Sequence, residues 1–336
     1  MRKLILVGCE GTKRTDYFLK AAKELGISVD FENIFTCNPD KLTDAIVKID
    51  PYVYQDSELD KMEYLLDRYT NLLQGFAAND RLEFLNHPLG ILEVLHKAKC
   101  KEKLMKNDVP TTKMISYSVK SNVDELKRLM VSQRAYGVFI KPVRSSGAVG
   151  IVAYRYIPKI NREVLYTSAY LDGEELINTK KLYHIEDHEQ IHKLLEKILS
   201  MEHMVERWYS KADYRGKKYD LRVVWQFGKI DFVVARQSKG PITNLHLNNQ
   251  ALPIDKLNLS SEKWEEISAL CDKAMKLFPT LKSAGIDIML EKGSLRPMII
   301  EINGQGDLLY QDIFQDNCIY KNQLMYMDKR RNALIW

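Results

Sequence analysis

The sequence predicts an α/β protein with more than one domain. Residues 3–8 form a short apolar run, followed by a Gly/Thr loop and by an amphipathic segment, 16–25, that ends at a glycine. This order of strand, loop and helix is typical of the start of an α/β unit. The second observation is size, because 336 residues, 45% of them hydrophobic, suffice for two or three domains with their own cores. The third is a late pair of short apolar strands, 286–291 and 298–303, around a turn that contains Gly293.

The composition argues against several classes of protein. The formal net charge of +5 is spread along the chain without an RNP-like motif or a zinc finger, which favours anionic ligands over a nucleic-acid surface. No apolar stretch approaches membrane-spanning length, and the amino-terminal apolar run is too short for a signal peptide. Five cysteines without CxxC spacing indicate a reduced chain. We therefore expect a cytoplasmic protein without a nucleic-acid or membrane partner.

The region before Pro110 continues the α/β pattern. Apolar residues at helical spacing predict a long amphipathic helix over 59–76. A short strand is predicted at 82–85 and a second helix over 89–106. Proline disfavours the helical conformation in the residue before it, so Pro110 ends this part, and we place a first domain boundary near this point.

Lys141 follows a buried-looking strand and precedes a loop of small residues, 145–150. Small residues let backbone N–H groups approach an anion, and a lysine at the end of a strand adds a point charge. The pattern therefore indicates a cover for phosphates. The loop is not a Walker A sequence, and a plain hairpin of small residues would give the same pattern.

The helix predicted over 187–200 contains HEQIH at 188–192, a literal HExxH motif. Zinc proteases place both histidines of this motif on one helical face and use its glutamate as the base. Asp187 and Lys193 flank the motif with charge, and no third ligand is evident, although Glu202 and Glu206 lie downstream. We favour a solvated helix and keep a zinc protease as an alternative.

Two arginines lie within the apolar strands of a predicted hairpin, 219–227 and 230–236. Arg222 and Arg236 each fit a solvent-exposed strand when taken alone. Together, and upstream of an acidic cluster, they indicate a site at which phosphate or carboxylate is clamped. An amphipathic helix over 260–278 separates this hairpin from the late one.

The late hairpin carries Asp287 on its first strand and Glu301 and Asn303 on its second. Strict alternation predicts that Ile299 shares the face of Glu301. Bringing Asp287 opposite Glu301 on one face needs an odd-numbered loop or a bulge. Hard oxygen ligands from two strands suit Mg²⁺ that nucleotide phosphates also hold. A solvent face that carries acids is the alternative, but carboxylates among Ile, Met and Leu favour a bound cation.

Taken together, residues 86–307 resemble the ATP-grasp superfamily of carboxylate–amine ligases, in the branch that contains RimK-type glutamate ligases and glutathione synthetase. The resemblance consists of an ordered series of short motifs. These are Asn86-His87-Pro88, Lys97, Val109-Pro110, Phe139-Ile140-Lys141 with the loop after it, Met204-Val205-Glu206, Asp220-Leu221-Arg222, Asn244-Leu245-His246, and the set of Asp287, Glu301 and Asn303.

The resemblance implies an ATP-grasp fold in which a nucleotide lies between two sheet-containing subdomains, beside an amino-terminal Rossmann-like α/β domain. The implied domains are 1–85, a central helix and lid at 86–203, and a carboxy-terminal subdomain at 204–336. The implied ATP-binding residues are Lys97, Lys141, Ser145, Ser146, Gly147, Val205 and Glu206, with Glu206 and the backbone near Val205 at the adenine. The implied ligands of Mg²⁺, which Mn²⁺ can replace, are Asp287, Glu301 and Asn303, and the implied phosphate clamp is Arg222 and Arg236.

The implied reaction is formation of an amide or peptide bond through an acyl phosphate. Its substrates would be a carboxylate and an amine, on an amino acid, a small peptide or a peptide side chain. A non-catalytic ATP-binding scaffold or regulator with the same fold is the alternative. A homodimer is open, and the segment after Asp307 is expected to close the fold or to form an interface.

Overall fold

The structure is a computed structural model that describes residues 2–52, 59–145, 149–305 and 316–333. Strands and helices alternate along these ranges, which confirms the predicted α/β class. The strands are β1 (Lys3–Gly8), β2 (Asp30–Asn33), β3 (Ala45–Ile49), β4 (Leu82–Phe84), β5 (Met114–Ser118), β6 (Gly137–Pro142), β7 (Val152–Ile157), β8 (Arg162–Asp172), β9 (Glu175–Ile185), β10 (His203–Arg207), β11 (Asp213–Tyr214), β12 (Lys217–Gln226), β13 (Lys229–Ser238), β14 (Gln250–Leu252), β15 (Ser283–Leu290) and β16 (Pro297–Asn303). The helices are α1 (Lys13–Glu24), α2 (Leu59–Ala78), α3 (Pro88–Leu95), α4 (Lys97–Lys106), α5 (Val123–Ser132), α6 (His188–Leu199), α7 (Ser261–Met275) and α8 (Cys318–Asn332). None of the helices in these ranges combines the length and the apolar character needed to span a bilayer.

A parallel sheet in the order β2-β1-β3-β4 forms the amino-terminal unit. One of its two inner strands is β1, in which Ile5 pairs with Asp30 of β2 and with Val47 of β3. The sequence analysis did not identify β3. Every residue of β3 is buried, so the strand lacks the polar–apolar alternation that marks a half-exposed strand.

The second sheet, called the lid sheet below, is antiparallel, with the order β5-β10-β6-β7-β8-β9. Helices α5 and α6 cover one face, where their apolar side chains form a core with Val138 and Ile140 of β6. Successive side chains of a strand point to opposite faces, so Phe139 and Lys141 lie on the other face. Strand β10 pairs with β5 and β6 and so belongs to the lid sheet. The domain boundary expected after residue 203 therefore falls at the start of a lid strand.

The third sheet has the order β14-β13-β12-β15-β16, with β11 paired to β12. Its apolar face shares one continuous core with the amino-terminal sheet, in which residues such as Val47 and Ile286 take part. Helix α8 packs between these two sheets, where Leu324 joins a cluster that contains Leu6 and Val224. The expectation that the segment after Asp307 helps to close the fold is confirmed for α8.

The single helix expected over 89–106 was wrong, because the chain breaks at His96 into α3 and α4. The His96 Nδ1 atom accepts a hydrogen bond from Lys99 N (3.3 Å) and thereby caps the new helix. The break frees Lys97 N to donate to Val143 O, 3.0 Å away, just beyond β6. This contact fixes the start of α4 against the lid.

Candidate active site

A cleft of about 670 Å³ lies between the lid sheet and the third sheet. Charged side chains dominate one part of its wall and apolar side chains another. The charged residues that line it are Lys97, Lys141, Glu206, Arg207, Lys211, Asp220, Arg236, Asp287 and Glu301. The cleft therefore gathers six of the twelve site residues that the sequence analysis singled out.

Strands β15 and β16 place Asp287 directly opposite Glu301. A bulge makes this possible, because Ile288 pairs with Ile299 and leaves Ile300 as the extra residue. The predicted pairing through a bulge is confirmed. The expectation that Ile299 shares the face of Glu301 was wrong, since the bulge turns Ile299 into the apolar core and lets Ile300 line the cleft.

The bulge also leaves backbone carbonyls for Lys101, a residue to which the sequence analysis gave no role. Its Nζ lies 2.6 Å from Ile300 O and 2.8 Å from Thr112 Oγ1. Lys101 is one helical turn beyond Lys97 on α4, and both ammonium groups are buried. The four-residue spacing was visible in the sequence, but the neighbouring lysines of the same run concealed it.

Glu206 of β10 is held by two lysines rather than being open to a ligand. Lys141 Nζ lies 2.6 Å from Glu206 Oε2, and Lys101 Nζ lies 3.1 Å from Glu206 Oε1. Burial acts to raise the pKa of Glu206, but the two lysines outweigh it, so that the pKa is lowered. Both carboxylate oxygens of Glu206 thus face a lysine ammonium group.

Lys97 connects helix α4 to two parts of the cleft. Its ammonium group donates to Ser145 O and lies 4.0 Å from Glu301 Oε1. Burial lowers the pKa of Lys97, with Glu301 acting in the opposite direction. The structure thus brings Lys97, Ser145 and Glu301 together, whereas Ser146 and Gly147 lie outside the described residues.

The two predicted clamp arginines converge on Asp287. Arg222 Nε lies 2.6 Å from Asp287 Oδ1, and Arg236 Nη2 lies 3.1 Å from Asp287 Oδ2. Arg236 Nε also donates to Asp220 Oδ1, at 2.7 Å, and Lys211 Nζ lies 3.0 Å from Asp220 Oδ2. The sequence analysis named Asp220 only within a motif, without a role, and missed Lys211, which lies in a charged loop.

These contacts form three neighbouring groups of ion pairs that together carry an excess of positive charge. Six cationic side chains face four carboxylates, which leaves two positive charges uncompensated. The cations are Lys97, Lys101, Lys141, Lys211, Arg222 and Arg236, and the anions are Glu206, Asp220, Asp287 and Glu301. Buried excess charge of this kind is stabilised by a bound anion.

Part of the cleft is apolar, lined by Phe139 and Ile151 of the lid and by Met289 of β15. The Phe139 ring is held against Trp208, with ring centroids 5.5 Å apart. An apolar slot beside cationic groups has the chemistry of a site for a planar heterocycle that carries phosphates.

The predicted metal ligands fit a hard divalent cation. Among the described residues, the cation nearest to the Glu301 carboxylate is Lys97 at 4.0 Å. Asp287 Oδ1 is buried and receives no aligned hydrogen bond from the described part of the chain, although Arg222 Nε is near. Asn303 lies two residues after Glu301 on β16, and its Nδ2 donates a long hydrogen bond to Gly285 O at 3.4 Å. Two carboxylates and an amide oxygen are ligands that Mg²⁺ accepts.

The HEQIH segment forms part of α6 on the opposite face of the lid sheet. Glu189, the base that a zinc protease would need, pairs with Lys193 at 2.7 Å, and its side chain is 76% exposed. His188 and His192 instead face Glu163 of β8. This geometry does not support the protease alternative.

The fold is that of the ATP-grasp enzymes, as expected from the sequence. No protein-family model matches the chain, and no curated protein matches it. Solved structures match over nearly its whole length. D-cycloserine synthetase DcsG has a TM-score of 0.65 at 11% identity over 98% of this chain and 100% of that chain. The macrocyclase MdnC from Microcystis aeruginosa MRC, bound with precursor peptide MdnA, has a TM-score of 0.62 at 14% identity with the same coverage. The ATP-grasp ligase PsnB, complexed with a minimal precursor, Mg and ADP, has a TM-score of 0.58 at 12% identity over 97% and 98%.

Proposed function

We propose that this protein is an ATP-dependent ligase that joins a carboxylate to an amine through an acyl phosphate. The observation that carries the proposal is the set of buried ion pairs along the cleft, in which six cationic side chains outnumber four carboxylates. A nucleotide triphosphate supplies the missing negative charge, and a divalent cation lets it approach Glu301. The fold shared with ATP-grasp ligases supports the same assignment.

In this proposal the phosphates lie against Lys97 and Lys141, under the loop that contains Ser145, Ser146 and Gly147. The base occupies the apolar slot beside Phe139 and meets the backbone near Val205 and Glu206. Glu206 then acts through the lysines: it holds Lys141 in place and keeps its positive charge directed at the cleft.

Glu301, Asp287 and Asn303 would hold Mg²⁺, or Mn²⁺ in its place. When bound, the ion neutralises charge on the transferred phosphoryl group. Asp287 also positions Arg222 and Arg236, so that the metal ligands and the two guanidinium groups share one rigid sheet. Electrostatic groups that are fixed before the reaction need no reorganisation during it.

The reaction asks for no nucleophilic side chain. A carboxylate oxygen of the substrate attacks the γ-phosphorus of ATP, the bond to the β-phosphate oxygen breaks, and ADP leaves. The nitrogen of the amine then attacks the acyl carbon, inorganic phosphate leaves, and the amine loses a proton. The protein contributes alignment of the reactants and neutralisation of the spreading charge.

We propose an amino acid, a small peptide or a peptide side chain as the substrate. This rests on the similar fold of enzymes whose structures hold precursor peptides, among them MdnC and PsnB. The alternative is a nucleotide-binding scaffold with the same fold. Such a scaffold would not require the Glu301 carboxylate, which lies 4.0 Å from Lys97 and can accept a metal ion.

The test is Mg²⁺-dependent ADP release with pools of amino acids and peptides, together with hydroxylamine, which converts an acyl phosphate into a hydroxamate. We expect ADP and hydroxamate in equal amounts with at least one pool. A rise in melting temperature with an ATP analogue, without ADP release from any pool, would support the scaffold. Absence of any such rise would contradict nucleotide binding itself.

A further inference from the structure

The lid carries a second cluster of ligand-type side chains on the face turned away from the cleft. His188 Nδ1 lies 3.2 Å from Glu163 Oε1, and His192 Nε2 lies 3.5 Å from Glu163 Oε2. The three ligand atoms lie within 4.8 Å of one another. The two imidazole rings, one helical turn apart on α6, have centroids separated by 4.1 Å.

We propose that Glu163, His188 and His192 form a binding site for a transition-metal ion such as Zn²⁺. Two imidazoles and one carboxylate are a ligand set for borderline-soft divalent ions and not for Mg²⁺. The i, i+4 spacing puts both imidazoles on one face of α6. The third ligand comes from β8, upstream of the motif, where sequence spacing gives no hint of it.

The Glu163 carboxylate is held in a fixed orientation. Glu163 is 4% exposed, and Tyr154 OH donates a hydrogen bond to its Oε2 at 3.0 Å, which fixes the carboxylate plane. Hydrogen bonds of this kind, from a residue that does not touch the metal to one that does, orient the ligand and raise metal affinity. His188 is 61% exposed at its side chain, so solvent can deliver the ion and complete its coordination.

Lys127 of α5 is the competitor for this site. Its Nζ lies 2.5 Å from Glu163 Oε1 and 3.0 Å from His192 Nε2, where it neutralises the buried carboxylate. An incoming ion must displace this ammonium group, and it then carries the compensating charge itself. The bound ion joins β8 directly to α6, and so it stabilises the outer layer of the lid.

The experiment is titration of the full-length, untagged chain with ZnCl₂ by calorimetry and by melting temperature, in excess Mg²⁺. We expect about one equivalent of Zn²⁺ to bind and to raise the melting temperature. His188→Ala and His192→Ala should each weaken binding by about tenfold or more, since even outer-shell losses weaken metal sites by that factor. Lys127→Met should strengthen binding, because it removes the competing cation.

The matched control is His184→Ala. His184 is an exposed histidine on β9 that lies 3.3 Å from Glu186 and takes no part in the cluster. Unchanged Zn²⁺ affinity in this variant supports the site. The proposal is overturned if the wild-type chain does not bind Zn²⁺, or if the His188 and His192 variants bind it as well as the wild type. Because Glu163→Gln would leave Lys127 unpaired, the histidine variants carry the test.

Discussion

Lys97 Nζ and Glu301 Oε1 lie 4.0 Å apart, across the gap between helix α4 and strand β16. This distance is too long for a direct hydrogen bond but short enough for strong attraction in a buried site. The two groups therefore attract each other without a hydrogen bond that would prevent either from contacting a further partner. An anion can approach Lys97 from one side, and a cation can approach Glu301 from the other.

Glu301→Gln should abolish metal-dependent turnover while leaving the fold intact. The amide keeps the size of the side chain but offers the ion no charge, and we expect ADP release to fall by about 100-fold or more, as when a preorganised electrostatic group is lost. Steady-state ADP release and melting temperature, measured on the same preparation, check both statements. Glu291→Gln is the control, because Glu291 lies in the same hairpin, 3.3 Å from Arg296 and away from the cleft. Equal turnover by the Glu301 variant and the wild type would remove the metal assignment.

Lys101→Met should destabilise the protein strongly. Lys101 pairs with Glu206 and donates to Ile300 O, so its removal leaves a buried carboxylate with one cation and a bulge carbonyl without a donor. We expect a loss of about 3 kcal/mol or more in the free energy of unfolding. Urea denaturation monitored by fluorescence measures it. Lys99→Met, an exposed position on the same helix, should change the value by less than about 0.5 kcal/mol. Equal stability of the two variants would contradict the assigned contacts.

The stability of the protein should decline in acid because of Glu206 and Asp220. Lysine and arginine partners lower the pKa of both carboxyls in the folded state, against the effect of burial. The stabilisation is therefore fully present above the unfolded-state pKa of about 4, and it is lost as the pH falls through the lower folded-state values. Free energies of unfolding in urea from pH 7 to pH 3 should follow this direction.

Glu206→Gln isolates the contribution of one carboxyl to this acid sensitivity. The variant should be less stable than the wild type at pH 7 and should show a shallower pH dependence below about pH 5. Glu189→Gln, in which an exposed carboxyl on α6 is changed, should keep the wild-type slope. A Glu206 variant with an unchanged slope would show that the pair does not carry the effect.

Two cysteines should resist thiol reagents in the native protein. Burial raises the pKa of Cys100 and Cys271 to about 12, so that thiolate is scarce at pH 8 and access is blocked. Labelling with a disulfide reagent, followed by peptide mapping, should modify both positions in denaturant and neither in buffer. Native labelling at the rate of the denatured chain would contradict their place in the core.

Much of the fold could be predicted, because periodicity is a local property of the sequence. The amphipathic pattern located α6 and α7 closely, and the glycine-containing turn located the β12–β13 hairpin. The pattern failed at His96, where a helix break depends on Lys97 N finding Val143 O in a distant part of the chain. It also failed at β3, where burial on both faces removes alternation.

The site was predicted in part for the same reason. Asp287, Glu301, Arg222 and Arg236 stand out because charges within apolar strands are locally anomalous. Lys101 and Lys211 do not, since each lies among other charged residues and becomes a site residue only through tertiary contacts. The role of Glu163 could not be predicted for the same reason. Its partners, Lys127 and His188, lie on helices before and after it in the sequence, and only the fold brings them together.

The lid core is separate from the core that the amino-terminal and third sheets share, although Leu66 of α2 takes part in it. We therefore expect the molecule to unfold as two cooperative blocks, with the cleft between them. In scanning calorimetry such an arrangement gives two overlapping heat-absorption peaks, the smaller belonging to the lid. A compound that touches both walls of the cleft would draw the peaks together. Their separation thus reports on occupancy without any knowledge of the reaction.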